Sequence, residues 1–207
     1  MTVGLTNRQL AKREQISSAA RRLFLADGFA NTSMDAVTAE AGVSKQTLYT
    51  YFPTKIDLLA EVLYGSIREL GIRPPQAPQT LESVEDLRDT LLGLATLITR
   101  SLMQPDAIAL MRLVLGEAFR VPELRAAVRN ALPAQLLGMT SALLQQAADR
   151  KLIKVADMDV SSRLFVGPVM TYVALDGFLS IEPTDPPSQA KLEVVVDTFL
   201  TTVVVTS

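Results

Sequence analysis

Apolar residues recur at helical spacing along most of the chain, and helix-breaking residues divide this pattern into segments. A first helix is predicted to begin at Thr6, because Thr6 and Gln9 have the spacing of a capping box. Gly28 is predicted to end it as a left-handed C-cap. The residues that fall on its inward face are Ile16, Ala20, Leu23 and Phe24.

Two short helices are predicted next, separated by a glycine turn at Gly42. Thr32 is the predicted N-cap of the first, and Ser44 that of the second, which runs from Lys45 to Phe52. Leu48 and Phe52 are expected to point inward, so the remaining residues of this second helix face solvent.

A hinge is predicted at 71–78, where Gly and Pro accumulate. We therefore predict a first domain over 1–54, a linking helix over 55–71 and a second domain over 72–207. Beyond the hinge every long segment has the helical pattern, and we find no convincing alternating strand pattern. The predicted helices there cover 81–102, 105–120, 122–151 with Pro133 as a kink or break, 160–181 and 187–205.

These segments predict an all-α protein of about nine helices. It consists of an N-terminal three-helix helix-turn-helix domain and a C-terminal helical bundle.

Composition excludes several classes of function. The chain contains no Cys and no His, which removes disulfides, thiol chemistry, the most common metal ligand and the usual general base. We therefore predict no catalytic site, no metal site and no cofactor. The polar N-terminus lacks the apolar run of a secretion signal, and no apolar stretch is long enough to span a membrane. A cytoplasmic protein without membrane contact is expected.

Charge is distributed unevenly along the chain. Residues 1–55 carry seven Lys and Arg against four Asp and Glu, a net charge of +3, whereas the remainder has a net charge of −5. A basic N-terminal portion suits a polyanionic partner on one side of the molecule, although a merely solvated surface would account for it equally well.

The exposed face of the helix over 45–52 suits DNA. Ser44, Thr47 and Tyr49 can donate hydrogen bonds to phosphates, and Gln46 can pair with adenine through two hydrogen bonds. Lys45 and Lys55 supply positive charge, and the N-terminus of the helix itself favours a phosphate.

Residues 24–59 closely resemble the N-terminal domain of the TetR family of bacterial repressors. The matching pieces include Gly28-Phe29, Thr32-Ser33, Ala41-Gly42-Val43-Ser44, Thr47-Leu48-Tyr49, Tyr51-Phe52 and Lys55. The segment MRLVLGEAFRVPELRAAV resembles an AefR-like subgroup of that family. The resemblance implies phosphate contacts by Thr32, Ser33, Tyr49 and Lys55. It implies contacts to bases or adjoining backbone by Lys45, Gln46, Thr47, Thr50 and Tyr51.

Two helices near the C-terminus are predicted to pair with their copies in a homodimer, as a four-helix bundle. The predicted interface residues are Val169, Val173, Gly177, Leu192, Val195, Val196, Phe199 and Val203. The alternative is that both helices close the core of a single protomer. A cavity for a small-molecule effector is expected among the middle helices, with plain core as the alternative. Its predicted lining is Met103, Met111, Leu115, Phe119, Met139 and Met170.

Together these features predict a regulator that binds double-stranded DNA, rather than an enzyme. We expect a repressor that leaves a palindromic operator when a small, largely apolar effector binds. The alternatives are a helical adaptor, or a helical-bundle enzyme without DNA binding.

Overall fold

The computed structural model describes residues 6–69, 81–130 and 132–203, and within these ranges the regular elements are helices. The all-α prediction is confirmed. The α-helices are α1 Asn7–Asp27, α2 Met34–Ala41, α3 Lys45–Tyr51, α4 Lys55–Glu69, α5 Val84–Leu102, α6 Pro105–Ala118, α7 Pro122–Asn130, α8 Leu132–Asp149, α9 Met158–Tyr172 and α10 Gln189–Thr201. A π-helical turn, Val173–Phe178, continues α9.

Most predicted helices lie close to their expected positions. The predicted segment 122–151 is divided between α7 and α8, with Pro133 in the first turn of α8, where its missing N–H costs no helical hydrogen bond. The predicted hinge at 71–78 and the end of the last helix beyond residue 203 lie outside the described residues.

Local capping confirms two predicted helix starts and corrects one. Thr6 and Gln9 form the expected capping box, and the Ser44 side chain accepts a hydrogen bond from the backbone N–H of Thr47. The N-cap of α2 is Ser33 rather than Thr32, because Thr32 is buried and its hydroxyl donates elsewhere. Gly28 has a positive φ of 81°, but its ψ of 160° is extended, so it is not the predicted left-handed helical cap.

The chain forms two compact units, which are described separately. The first comprises residues 1–69 and 109–131, so it includes most of α6 and all of α7. In it α1 packs against α2 and α4, and α4 packs against α7. Of the predicted inward residues, Leu23 is half-buried, and the others are buried in its core: Ile16, Ala20, Phe24, Leu48 and Phe52. The domain bounds predicted from the sequence stay a prediction.

The second unit comprises residues 70–108 and 132–207. In it α9 packs against α5, α8 and α10. The rings of Phe165 and Phe199 meet at the centre with centroids 5.6 Å apart. Arg88 on α5 forms two hydrogen bonds with the carboxylate of Asp197 on α10, so a polar contact joins α5 to α10 at the surface.

Most residues predicted for the dimer interface lie in the core of their own protomer. The predicted residues other than Val195 are buried within their own protomer, and Val195 itself is half-buried. They therefore serve the core of the second unit, which is the alternative left open above, because each helix turns its more continuous apolar stripe inward. A different set of large apolar residues is exposed on these segments: Val160, Leu164, Leu175, Leu179, Ile181 and Val194.

Candidate nucleic-acid interface

Two capped helices and a glycine turn form the candidate site. The Ser33 hydroxyl accepts a hydrogen bond from the backbone N–H of Ala36, 3.0 Å away, and so begins α2. Gly42 ends α2 in the left-handed conformation, with φ 60° and ψ 41°, which lets the chain reverse within a few residues. Ser44 then begins α3, the helix whose exposed face is predicted to contact DNA.

The α3 helix has one buried and one exposed side. Leu48 is fully buried on it, and Phe52, which follows directly, is buried as well. Tyr49 is 47 % exposed although it is a large aromatic residue. The polar residues available to a ligand on this helix are Lys45, Gln46 and Thr50, which are exposed, and Thr47 and Tyr51, which are half-buried.

Hydrogen bonds within α3 already orient some of these groups. The Ser44 and Thr47 hydroxyls are 2.8 Å apart, and the Thr50 hydroxyl donates to the Gln46 carbonyl at 2.7 Å. A hydroxyl that donates to its own helix keeps its lone pairs as acceptors, so Thr50 offers an acceptor and a methyl group to solvent.

Lys45 is engaged in an ion pair in the free protein. Its Nζ atom donates to Asp35 Oδ2 at 2.7 Å, across the turn from α2. The hydrogen bond with Asp35 raises the pKa of Lys45. Both side chains are largely exposed, so the pair contributes little to stability and a phosphate can replace Asp35 as the partner of Lys45.

Lys55 is engaged more deeply. Its Nζ atom donates to the backbone carbonyl oxygens of Phe29, Ala30 and Thr32, and it lies 4.3 Å from the centroid of the Phe29 ring. Burial lowers the pKa of the Lys55 ammonium group. The resemblance implied a phosphate contact here, and the geometry instead directs the ammonium group into the protein.

Thr32 is also turned inward. Its side chain is 3 % exposed, and its hydroxyl donates to the carbonyls of Gly28 at 2.8 Å and Leu23 at 3.3 Å. A phosphate contact from this hydroxyl would require exposing it and breaking these hydrogen bonds, so we do not keep Thr32 among the proposed DNA contacts.

Arg13 on α1 is a residue that the sequence pattern did not single out. Its guanidinium lies over the Phe52 ring, 4.7 Å from the centroid, and it pairs with Glu61 on α4. Glu61 also accepts a hydrogen bond from Arg68 at 3.0 Å. Arg13 thereby joins α1 to the end of α3 and to α4. Its partners lie 39 to 48 residues away, and no local pattern marks such a pairing.

The predicted effector-pocket residues are divided between the two units. Met111, Leu115 and Phe119 belong to the first unit, whereas Met103, Met139 and Met170 belong to the second. Phe119 is 81 % exposed, so it lines no enclosed cavity within its own unit.

The described part of the chain contains no group of three or more acidic side chains arranged to hold a metal ion. None of its helices combines the length and the apolar character needed to cross a membrane.

The fold and the capped α2–turn–α3 segment define a helix-turn-helix protein of the all-α class. Comparison with family models agrees. Residues 16–62 match the model of the bacterial regulatory proteins of the tetR family, and residues 89–204 match the AefR-like transcriptional repressor C-terminal domain. The chain belongs to the TetR family of transcriptional regulators, and the regulators it resembles are not enzymes.

Individual relatives support this assignment. The chain is 29 % identical over 189 residues to the uncharacterized HTH-type transcriptional regulator Rv1556 of Mycobacterium tuberculosis, covering 90 % of this chain and 84 % of that one. Among solved structures it is similar to the flavonoid-responsive regulator FrrA, with a TM-score of 0.74, 25 % identity and coverage of 95 % and 99 %. A TetR transcriptional regulator from Agrobacterium tumefaciens shares the fold, with a TM-score of 0.76, 22 % identity and coverage of 94 % and 95 %.

Proposed function

We propose that this protein is a cytoplasmic repressor that binds operator DNA as a homodimer and is released by a small, largely apolar effector. The observation that carries the DNA-binding part is the polar, exposed face of α3, opposite the buried Leu48 and Phe52. A short helix of this kind, preceded by a capped helix and a glycine turn, fits the major groove.

The proposed contacts follow from what each exposed group can donate or accept. Gln46 pairs with an adenine, and the Thr50 methyl group meets a thymine methyl group. Lys45 exchanges Asp35 for a phosphate or a base edge. The remaining proposed contacts, mainly to phosphates and the adjoining backbone, come from Ser33, Ser44, Thr47, Tyr49 and Tyr51.

A homodimer is proposed on the outward side of the α9–α10 pair rather than on the residues first predicted. Leu164 and Leu175 are 51 % and 60 % exposed, and Val194 on α10 is 65 % exposed. Exposed leucines and valines at this density favour an apolar contact with a second copy. Two recognition helices about 34 to 36 Å apart would then meet successive major grooves of a palindromic site.

Effector control is proposed to act on α4. This helix follows α3 directly and packs against α7, and α6 runs from the second unit into the first. An effector bound near Met103, Met139 and Met170 would favour one position of α6 and, in turn, of α4. DNA and effector would then weaken each other's binding to the same extent. The flavonoid-responsive neighbour and the AefR-like repressor domain support an aromatic or apolar effector and a repressor.

Selection of bound fragments from the source genome, followed by salt titration on the recovered duplex, tests the DNA-binding proposal. Gln46→Ala should weaken binding by about fivefold to 150-fold, because a bidentate base contact is worth about 1 to 3 kcal/mol. Tyr49→Phe should weaken it less and on every sequence alike, because a phosphate contact carries no sequence information.

Gln145→Ala and Tyr172→Phe are the matched controls, since both residues lie in the second unit, on α8 and α9. The controls should bind like the wild type. Failure of the wild-type protein to select any duplex would contradict the proposal. So would Gln46→Ala and Tyr49→Phe proteins that bind as tightly as their controls.

A further inference from the structure

The Lys55 side chain closes the turn between α1 and α2. Its Nζ atom lies 2.5 Å from the Phe29 carbonyl oxygen, 2.7 Å from that of Thr32 and 3.3 Å from that of Ala30. An ammonium group has three N–H donors, so these three acceptors use all of them. Moving the group to a phosphate would leave partly buried carbonyl oxygens without a donor, which is costly.

The segment that Lys55 holds leads directly into α2. The Thr32 hydroxyl donates back to the Gly28 carbonyl, and the Asn31 side-chain amide donates to the Asp27 carbonyl at 3.0 Å. The next residue, Ser33, is the N-cap of α2. A fixed Thr32 carbonyl therefore fixes the place of Ser33 and of the first N–H groups of α2.

The beginning of α4 is already occupied by a carboxylate. Asp57 Oδ2 accepts hydrogen bonds from the Thr54 backbone N–H at 3.0 Å and from the Thr54 hydroxyl at 2.7 Å. A negative side chain at a helix N-terminus satisfies the positive end of the helix dipole and repels a second anion. This second observation also argues against a phosphate next to Lys55.

We propose that Lys55 is a positioning residue for DNA binding rather than a phosphate ligand. It fixes the N-terminus of α2 relative to the N-terminus of α4, and α3 lies between these two helices in the chain. Ser33 and the exposed face of α3 are thereby presented to DNA in one fixed arrangement. This inference rests on the proposed DNA-binding function.

Salt dependence of binding distinguishes a positioning residue from a phosphate ligand. Each phosphate contact makes the slope of log affinity against log salt concentration more negative by about 0.9, because binding releases counterions. Lys55→Met should weaken binding to the selected duplex by about tenfold, because hydrogen bonds from a charged group are lost, and the slope should not change. Lys45→Met, whose side chain is exposed, serves as the comparison and should reduce the slope by up to about 0.9.

Three outcomes would overturn the positioning role of Lys55 or the DNA-binding function on which it rests. A slope reduced by about 0.9 in the Lys55→Met protein would make Lys55 a phosphate ligand and overturn the proposal. A lower melting temperature with wild-type affinity, measured well below that temperature, would make the role purely structural and would also overturn it. A wild-type protein that binds no duplex would overturn the proposed function itself, which separates the two failures.

A measurement on the wild-type chain covers the case in which Lys55→Met does not fold. The 15N-labelled ammonium groups of lysine report their hydrogen-bond partners by NMR. The Lys55 signal should be protected from hydrogen exchange in the free protein and should keep its chemical shift when DNA binds. A Lys55 signal that moves with the duplex as much as that of Lys45 would refute the positioning role.

Discussion

The side of α9 that pairs two protomers can be tested by replacing Leu164 with glutamate. Leu164 is 51 % exposed, whereas Val169 and Val173 on the other side of the same helical segment are almost fully buried. The substitution should therefore leave the protomer folded, because exposed positions away from special features tolerate change within about 0.5 kcal/mol. It should weaken the association of two protomers without unfolding either one.

The size of the effect follows from the surface involved. Burying a leucine side chain completely is worth about 1.5 to 3 kcal/mol, so covering the exposed half of Leu164 is worth about 1 kcal/mol. Two-fold symmetry places the change in the interface twice. Desolvation of the two new carboxylates adds at least about 2 kcal/mol. A total of about 4 kcal/mol corresponds to a dimer dissociation constant raised about 1,000-fold.

Analytical ultracentrifugation over a concentration series measures this constant, and thermal unfolding followed by circular dichroism confirms that the variant is folded. Leu10→Glu is the matched control, because Leu10 is a 42 % exposed leucine of α1 in the first unit. It should leave the dissociation constant unchanged. A folded Leu164→Glu protein that dimerises like the wild type would refute the outward-face assignment. A wild type that remains monomeric at micromolar concentration would refute the dimer.

Two further predictions concern stability. Gly42→Ala should lower the free energy of unfolding, measured by urea titration, by about 1 to 2 kcal/mol. Gly42 has a left-handed backbone conformation, and no neighbour lies within 4 Å of an added Cβ, so the cost comes from the backbone alone. An unchanged urea midpoint would contradict this. Hydrogen bonds from Arg88 lower the pKa of Asp197. The pair therefore stabilises the folded protein at neutral pH, and this stabilisation is lost as pH falls through the lowered pKa. Melting curves of the wild type and Asp197→Asn should therefore differ at neutral pH and converge in acid, and a difference independent of pH would refute the assignment.

Local features of the helix-turn-helix could be predicted because their causes lie within a few residues. The capping box of Thr6 and Gln9 and the cap at Ser44 depend on side chains three residues from the N–H groups they satisfy. The choice between Thr32 and Ser33 as N-cap could not be made in this way. Both residues can cap a helix, and what decides is that Thr32 is buried against Leu23 and Gly28.

Periodicity located the C-terminal helices but could not decide what their apolar faces contact. A stripe such as Leu192, Val196 and Phe199 looks the same whether it meets the same chain or a second copy. Only the fold shows that this stripe is inside the protomer, leaving the less continuous set around Leu164 and Val194 outside. The contacts of the charged side chains could not be predicted either, because the carbonyl groups that bind Lys55 lie 23 to 26 residues away in the sequence.

The state of the two lysines bears on how this helix-turn-helix would read DNA. Between residues 32 and 55 the chain carries only Lys45 and Lys55 as cations, together with Asp35 and Glu40. Lys55 is held by backbone carbonyls, and Lys45 must give up Asp35 before it can meet DNA. The net electrostatic gain from this segment is therefore small, since one ion pair largely replaces another. Neutral donors and acceptors such as Gln46, whose hydrogen bonds depend on direction, must then supply most of the preference for one sequence over another.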